Sequence, residues 1–242
     1  MSFLCGIFEA AINTLLLPFR VVGAFTYKLY RRHFMPLLQY RMSMKYNKKM
    51  CDTKKELFRT LSDFRRPDGQ LTVLEIGCGT GANFQFFPPG CKVICTDPNP
   101  CMQKYLRKSL ENDENLVFER FVVASGEDLS SVEDESVDAV VGTLVLCTVK
   151  DVTSTLREAR RVLRPGGGFL FLEHVVAEPS TWTHTIQQLI QPLWYYMGDG
   201  CRVNQATWKH LEAAGFSELR LRHVQAPLMF IVKQHIMGCA VK

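Results

Sequence analysis

The stretch Val73–Phe87, VLEIGCGTGANFQFF, sets three glycines at alternate positions directly behind an apolar run. A buried strand that ends in such a loop brings bare backbone up to a nucleotide-like ligand. The dinucleotide fingerprint is G-x-G-x-x-G. Here Gly77, Gly79 and Gly81 give G-x-G-x-G, with Glu75 just ahead of them.

Outward from this loop, short β-branched runs alternate with helical patterns, which predicts a doubly wound sheet. Strands are expected over Thr72–Ile76, Val93–Thr96, Glu119–Val123, Ala139–Thr143 and Gly168–Glu173, with a later pair over Glu218–Val224 and His235–Val241. Val152, Leu156, Ala159 and Leu163 recur at helical spacing, and Pro165–Gly166 stop that helix. Asn204 is placed to cap a helix ending near Ala214, with Gly215 as its stop. The expected fold is α/β, a Rossmann-like sheet of seven strands whose last two form a hairpin-like end.

In such sheets the ligand lies beyond the carboxyl ends of the strands. Asp97 ends the second strand, 22 residues beyond Glu75, where it can accept hydrogen bonds from ribose hydroxyls. The third strand leads into Ser125, Gly126 and Glu127, where an adenine contact is expected. A pyrophosphate cofactor would find the Glu75 carboxylate unhelpful, whereas a ligand bearing an ammonium would need it. Glycines serving only a tight turn would not explain polar residues at three successive strand ends. The ordered set points to S-adenosylmethionine rather than to a nicotinamide or flavin.

The 242 residues suit one α/β domain with an appendage. The net charge of +5 is unevenly spread: thirteen Lys/Arg stand against three acidic residues from Arg20 to Arg66. Ahead of that basic run, residues 1–30 are mostly apolar, interrupted by Glu9 and Arg20. The charge-free run is too short for an ordinary spanning helix of about 20 apolar residues. A kinked span at Pro18 with Arg20 snorkelling, a helix lying in the interface, and a helix packed on the catalytic domain all remain open. An apolar anchor followed by basic residues favours anionic lipid over nucleic acid as the partner. The chain therefore divides into an anchor over 1–30, a basic helical linker over 31–69 and a catalytic domain over 70–242. The nine cysteines form no C-x-x-C pair and no zinc-like spacing with histidine, so neither a metal nor a disulfide framework is expected.

VLEIGCGTGANF, CTDPNP, SVDAVV and RRVLRPGGGFLFLEH together resemble the class I S-adenosylmethionine-dependent methyltransferases over about residues 70–216. GTGANFQFFPPGC, ERFVVASGED, TLVLC, HVVAEP and GDGC look closer still to the methyltransferase-like 7 family, the microsomal thiol S-methyltransferases. That resemblance implies methylation of small alkyl thiols or hydrogen sulfide. It also implies residence on the endoplasmic reticulum membrane and lipid droplets, with the catalytic domain cytosolic. Carried over by position, Glu75, Gly77, Gly79 and Gly81 would line the methionine end of the cofactor. Asp97 would take the ribose, with Pro98 and Asn99 beside it, and Ser125, Gly126 and Glu127 would flank the adenine. Many relatives have Asp where Ser125 stands, so the adenine contact falls to a backbone group or to Glu127.

A thiol with a pKa of about 8.5 already supplies some thiolate near neutrality, so no conspicuous base is required. Candidates near the acceptor are Cys147 in TLVLC, His174 in EHV and Asp199 in GDGC. Each has a plainer reading: Cys147 as a small core residue, His174 as a packed histidine, Asp199 as a turn former. Glu178–Cys201, rich in aromatics, is a lid, a packed amphipathic helix, or both. The rival functions are O- or C-methylation of a lipid, quinone or sterol, and a lipid-droplet scaffold with a vestigial methyltransferase fold.

Overall fold

A computed structural model of the chain describes residues 23, 25–111 and 115–242. The anchor expected over residues 1–30, with Pro18 and Arg20, lies almost wholly outside the described residues. Among the described residues no helix is long and apolar enough to cross a membrane.

Seven strands form one sheet: β1 (Thr72–Ile76), β2 (Lys92–Thr96), β3 (Val117–Val122), β4 (Val137–Thr143), β5 (Leu163–His174), β6 (Glu218–Gln225) and β7 (Gln234–Val241). Their spatial order is β3-β2-β1-β4-β5-β7-β6. The first five run parallel to their neighbours, and β7 lies antiparallel between β5 and β6. The expected hairpin-like end is therefore this inserted β7.

The central strands read as unbroken apolar runs because both faces are covered. Val73, Val93, Ala139, Val141, Leu170 and Leu172 pack on one face; Leu74, Ile94, Val140, Phe169 and Phe171 pack on the other. Burying each such Val, Leu, Ile or Phe side chain contributes roughly 1.5–3 kcal/mol. The second face is covered by Val152–Val162, a helix whose Val152, Leu156, Ala159 and Val162 point inward. Asp151 caps it by accepting a hydrogen bond from Thr153 N. The first face is covered by two helices of the basic segment, α1 (Met35–Lys49) and α2 (Cys51–Arg59), with Leu106 of α3 (Gln103–Leu110); further helices are Val152–Val162 (α4), Trp182–Met197 (α5) and Thr207–Ala213 (α6).

Most strand ends fall within two residues of expectation, and two larger differences have a physical cause. β5 begins at Leu163, directly at the end of α4, because Leu163 already pairs with Val137; a register shift then absorbs Pro165, which has no N–H to give. Asn204 caps nothing: its amide donates to Gln188 Oε1, and α6 starts at Thr207 behind Ala206 without a side-chain cap.

At the amino ends of the strands, Asp138 is fully buried and fully engaged. It accepts from Thr72 N, Arg66 Nε and Arg164 Nε at 2.6–2.7 Å. This ties the basic segment to the sheet at the end opposite the glycine loop.

Candidate cofactor and acceptor site

The glycine loop leaves β1 with Gly77, Gly79 and Gly81 all at positive φ, which an L side chain resists. A Cβ on Gly77 would meet Val145 Cγ2 at 2.6 Å, and one on Gly81 would meet Phe84 Cε2 at 2.7 Å. The loop is bound to the second strand by Cys78 N to Thr96 O and by Gly79 N to Asp97 Oδ2 at 3.1 Å. Cys78 is a buried packing residue. Asp97 also accepts from Asn99 N at 2.8 Å, so each carboxylate oxygen holds one backbone donor and keeps capacity for another. Burial pushes Asp97 up to about 6, against the lowering effect of those two donors.

Glu75 lies inside a buried polar chain that its sequence position did not reveal. Its Oε1 accepts from Asn83 Nδ2 at 2.6 Å, and the same amide donates to Thr143 Oγ1. Asn83 Oδ1 accepts from Lys54 Nζ at 2.6 Å, and Lys54 donates again to Asn47 Oδ1 at 2.7 Å. Asn47 in turn holds Ala82 O in the glycine loop. Lys54 is 2 % exposed, and burial pulls it down to about 8 despite the nearby Glu75. Burial pushes Glu75 up to about 7, with Asn83 and Lys54 opposing. Its Oε2 is buried without a partner. An orphaned carboxylate oxygen beside a left-handed glycine loop suits the ammonium and methionine chain of S-adenosylmethionine, and Asp97 suits its ribose. The residues fit the cofactor.

The adenine end is more restricted. Gly126 is buried, and a Cβ there would lie 2.8 Å from Thr155 Cγ2. The Glu127 carboxylate accepts from Lys150 N at 2.6 Å and Asp151 N at 3.4 Å, bracing the start of α4. Ser125 is half-buried and Pro98 exposed. Asn99 caps the turn after β2 through Cys101 N and donates to Arg31 O.

Beyond β4 the TLVLC turn packs on the glycine loop. Leu144 adopts a left-handed φ of 56°. Glu173 Oε1 fixes the turn by accepting from Val145 N and Leu146 N at 2.9 and 3.0 Å. Its Oε2, His174 Nδ1, His235 Nε2 and Tyr46 Oη are all buried without partners. They are neighbours: the His174 and His235 rings lie 6.3 Å apart, and the Tyr46 and His235 rings 6.1 Å. Tyr46 also lies 5.1 Å from Lys54 Nζ, which joins this patch to the Glu75 chain.

Of the three residues expected near the acceptor, Cys147 and His174 come together and Asp199 does not join them. Cys201, which spacing did not single out, completes the pair: His174 Nε2 lies 2.9 Å from Cys201 Sγ, and the two sulfurs lie 3.9 Å apart. The hydrogen bond between the thiols and the nearby imidazole lower the Cys201 thiol against its burial. Asp199 instead pairs with Arg31 and faces Asp97, which its charge helps to raise. Tyr30 Oη, beside Arg31 in a π-turn over Tyr30–Phe34, donates to Met197 O. The start of the basic segment thus closes on the end of α5.

Helix α5 is amphipathic in the inverted sense. Gln187 is fully buried and bonded to Ala177 N and Ile231 O, and Gln191 bonds Val203 N. Trp182, Leu189, Leu193, Tyr196 and Met197 face outward.

The chain matches the methyltransferase domain family over residues 74–171. It is 52 % identical to human thiol S-methyltransferase TMT1A and 47 % identical to human TMT1B, each alignment covering 87 % of both chains. Rat TMT1B is 45 % identical over 86 % of both. Among solved structures, the YcgJ protein of Bacillus subtilis superposes with a TM-score of 0.60 at 17 % identity, over 79 % of this chain and 98 % of that one. The [4+2]-cyclase SpnF superposes with a TM-score of 0.56 at 17 % identity, over 78 % and 80 %. That a cyclase shares the sheet confines the structural likeness to the fold.

Proposed function

Since the chain belongs to the thiol S-methyltransferase family, we propose that it moves the methyl group of S-adenosylmethionine onto the sulfur of small apolar thiols or hydrogen sulfide. The observation that carries this reading is the 52 % identity across 87 % of both chains. Bound against the glycine loop, the cofactor supplies an electrophilic methyl on a cationic sulfur. Glu75 Oε2 takes its ammonium, Asp97 its ribose hydroxyls, and backbone around Ser125–Gly126 its adenine. Glu127 braces that loop.

The acceptor lies against the carboxyl ends of β4 and β5, where Tyr46, Glu173, His174 and His235 present polar atoms without partners. Glu173 positions the TLVLC turn there, and α5 closes the side toward Cys201. Holding thiolate and methyl in line is most of the catalysis such a displacement needs. The Asp199–Arg31 pair holds the basic segment over the ribose rather than touching the acceptor.

The same protein works at a membrane, the endoplasmic reticulum and lipid droplets being the expected sites. Two features support this. Residues 1–30 are mostly apolar and lead into a basic segment. Phe25 and Leu29 are exposed beside Tyr27, whose ring meets that of Tyr196 at 5.8 Å, continuing the outward apolar face of α5. Lipid is the medium in which that face costs least.

An acceptor screen with radiolabelled cofactor tests the chemistry. Alkyl thiols should be methylated and phenols and quinols left alone; methylated quinols without methylated thiols would refute the acceptor. Removing residues 1–30 should release the protein from microsomes, and full retention would refute the anchor.

A further inference from the structure

We infer that Cys147, His174 and Cys201 form a site for one thiophilic d10 cation of the zinc class, with the acceptor thiol as its fourth ligand. The fourth-ligand assignment rests on the thiol-methyltransferase reading above.

The three residues come from separate parts of the chain: the turn after β4, the end of β5 and the loop after α5. Each offers one soft or borderline donor atom, all three lie within 4.8 Å of one another, and all are buried. A tetrahedral zinc with sulfur ligands at 2.3 Å sets them about 3.8 Å apart, and Cys147 and Cys201 are already at 3.9 Å. His174 Nε2 must withdraw from Cys201 Sγ by only about half an ångström to reach a nitrogen–sulfur edge of about 3.5 Å.

The surrounding structure is arranged to hold the sulfurs inward. Asp199 takes a φ of 55° and Gly200 one of 90°, an unusual pair of left-handed conformations that turns Cys201 back toward Cys147. Arg202 N donates to Cys147 O at 2.8 Å, and Gln191 reaches Cys201 O, so both cysteines are braced through their backbones. Trp194 Nε1 donates to Cys201 Sγ at 3.3 Å, a contact that favours a thiolate there. No fourth His, Cys, Asp or Glu of the described residues joins the group. Structural zinc sites are closed by four protein ligands, whereas catalytic ones keep a position for a reactant. The neighbouring unpartnered Tyr46 and His235 mark the side from which a thiol arrives.

Coordination breaks the acceptor S–H bond heterolytically. The proton leaves to solvent and the sulfur keeps the electron pair, which becomes the new S–CH3 bond; the pair of the bond that breaks stays on the cofactor sulfur. The cation changes no oxidation state.

Cobalt(II) is the probe. The full chain, reduced with a phosphine and freed of metal, should bind one equivalent and show an intense near-ultraviolet thiolate charge-transfer band with tetrahedral visible bands. Cys147→Ser and Cys201→Ser should each cut that intensity and weaken binding at least tenfold. Cys51→Ser should leave the spectrum unchanged. A small alkyl thiol should shift the visible bands. Variants count as folded when they melt cooperatively and still bind S-adenosylmethionine. Absence of the band, its persistence in folded Cys201→Ser, or recovery of only a Cys147–Cys201 disulfide would overturn the site. A band that thiol leaves unmoved, or full thiol methylation by metal-free protein, would overturn the fourth-ligand role. Loaded protein that shows the band but methylates only phenols or quinols would keep the cation site and refute the thiol reading.

Discussion

Replacing Glu75 by glutamine keeps the hydrogen bond from Asn83 and removes only the charge. In the cofactor-free protein burial raises Glu75 to about 7, so near neutrality roughly half the molecules hold a proton there. A ligand ammonium against Oε2 favours the ionised form and drives that proton off. The sign follows: binding releases a proton, and affinity rises with pH until Glu75 is ionised without help. Between pH 6 and pH 8 the Glu75 contribution is about tenfold in Kd, or about 1.4 kcal/mol. Asp97, raised to about 6, adds roughly twofold over the same span. The ligand's own ammonium, an α-amino group, begins to lose its proton near pH 8 and takes back about twofold, so the wild type should bind S-adenosylmethionine about eightfold more tightly at pH 8 than at pH 6, and Glu75→Gln about equally at the two. At pH 8 the variant should bind at least a hundredfold more weakly, since the ammonium loses a buried partner worth about 3 kcal/mol or more. Calorimetry in phosphate and Tris reads the released proton directly: about half a proton at pH 7 for the wild type, and much less for the variant. A wild-type Kd that does not move with pH, or a variant with the full slope, would refute the ammonium assignment.

The raised Glu75 has a stability counterpart. Folded protein holds its proton to higher pH than unfolded protein, so stability is full below about 4.5 and is lost as pH climbs to about 7. Cofactor-free Glu75→Gln should gain roughly 2–3 kcal/mol at pH 8 in denaturant unfolding; a loss would show that the carboxylate is stabilised by Lys54 instead. Asp97→Ala should raise the cofactor Kd at least a hundredfold with an intact circular dichroism spectrum, and unchanged affinity would misplace the ribose. Asp138→Ala strips the partner from Arg66 and Arg164 and should cost about 3–5 kcal/mol in urea unfolding; a cost below about 1 kcal/mol would show the cluster to be dispensable. Arg31→Ala and Asp199→Ala, combined in a double-mutant cycle, should couple by about 0.5–1 kcal/mol, with Arg31 half exposed. The readout is a rise of a few-fold in cofactor Kd, and strict additivity would dissolve the latch.

What the sequence disclosed was local. The alternation of buried strands and the left-handed glycines are written in neighbouring residues, and so was the Asp97 that follows them. What it hid was made by distance. Lys54 is one lysine among thirteen basic residues in a segment whose charge suggested a linker, and nothing nearby marks it as the one that is buried. Asn83 sits in the quoted loop yet matters only because Lys54, Thr143 and Glu75 converge on it. Cys201 looked like the last letter of a turn until the reversal at Asp199–Gly200 carried it to Cys147. Glu127 has a second task that its place after the third strand did not reveal: its Oε1 accepts from the backbone of Lys150 and Asp151. The aromatics of α5 were legible as a lid, as membrane contact or as core, but not which of these, because a helical period does not say which stripe faces the core.

The region matched to the broad methyltransferase family, residues 74–171, holds Glu75, the glycines, Asp97 and Gly126, and stops short of His174. Tyr46, Lys54, Trp194, Asp199, Cys201 and His235 all fall outside it. The matched centre and the flanks thus meet twice: Lys54 and Asp199 reach in from the flanks to the neighbourhood of Glu75 and Asp97, and Cys147 of the centre meets His174 and Cys201 beyond it. Under the function proposed above, the flank that carries Tyr46 and Lys54 is also the one that continues toward the apolar N-terminus, so a change in membrane attachment and a change in the site would be exposed to the same mutations.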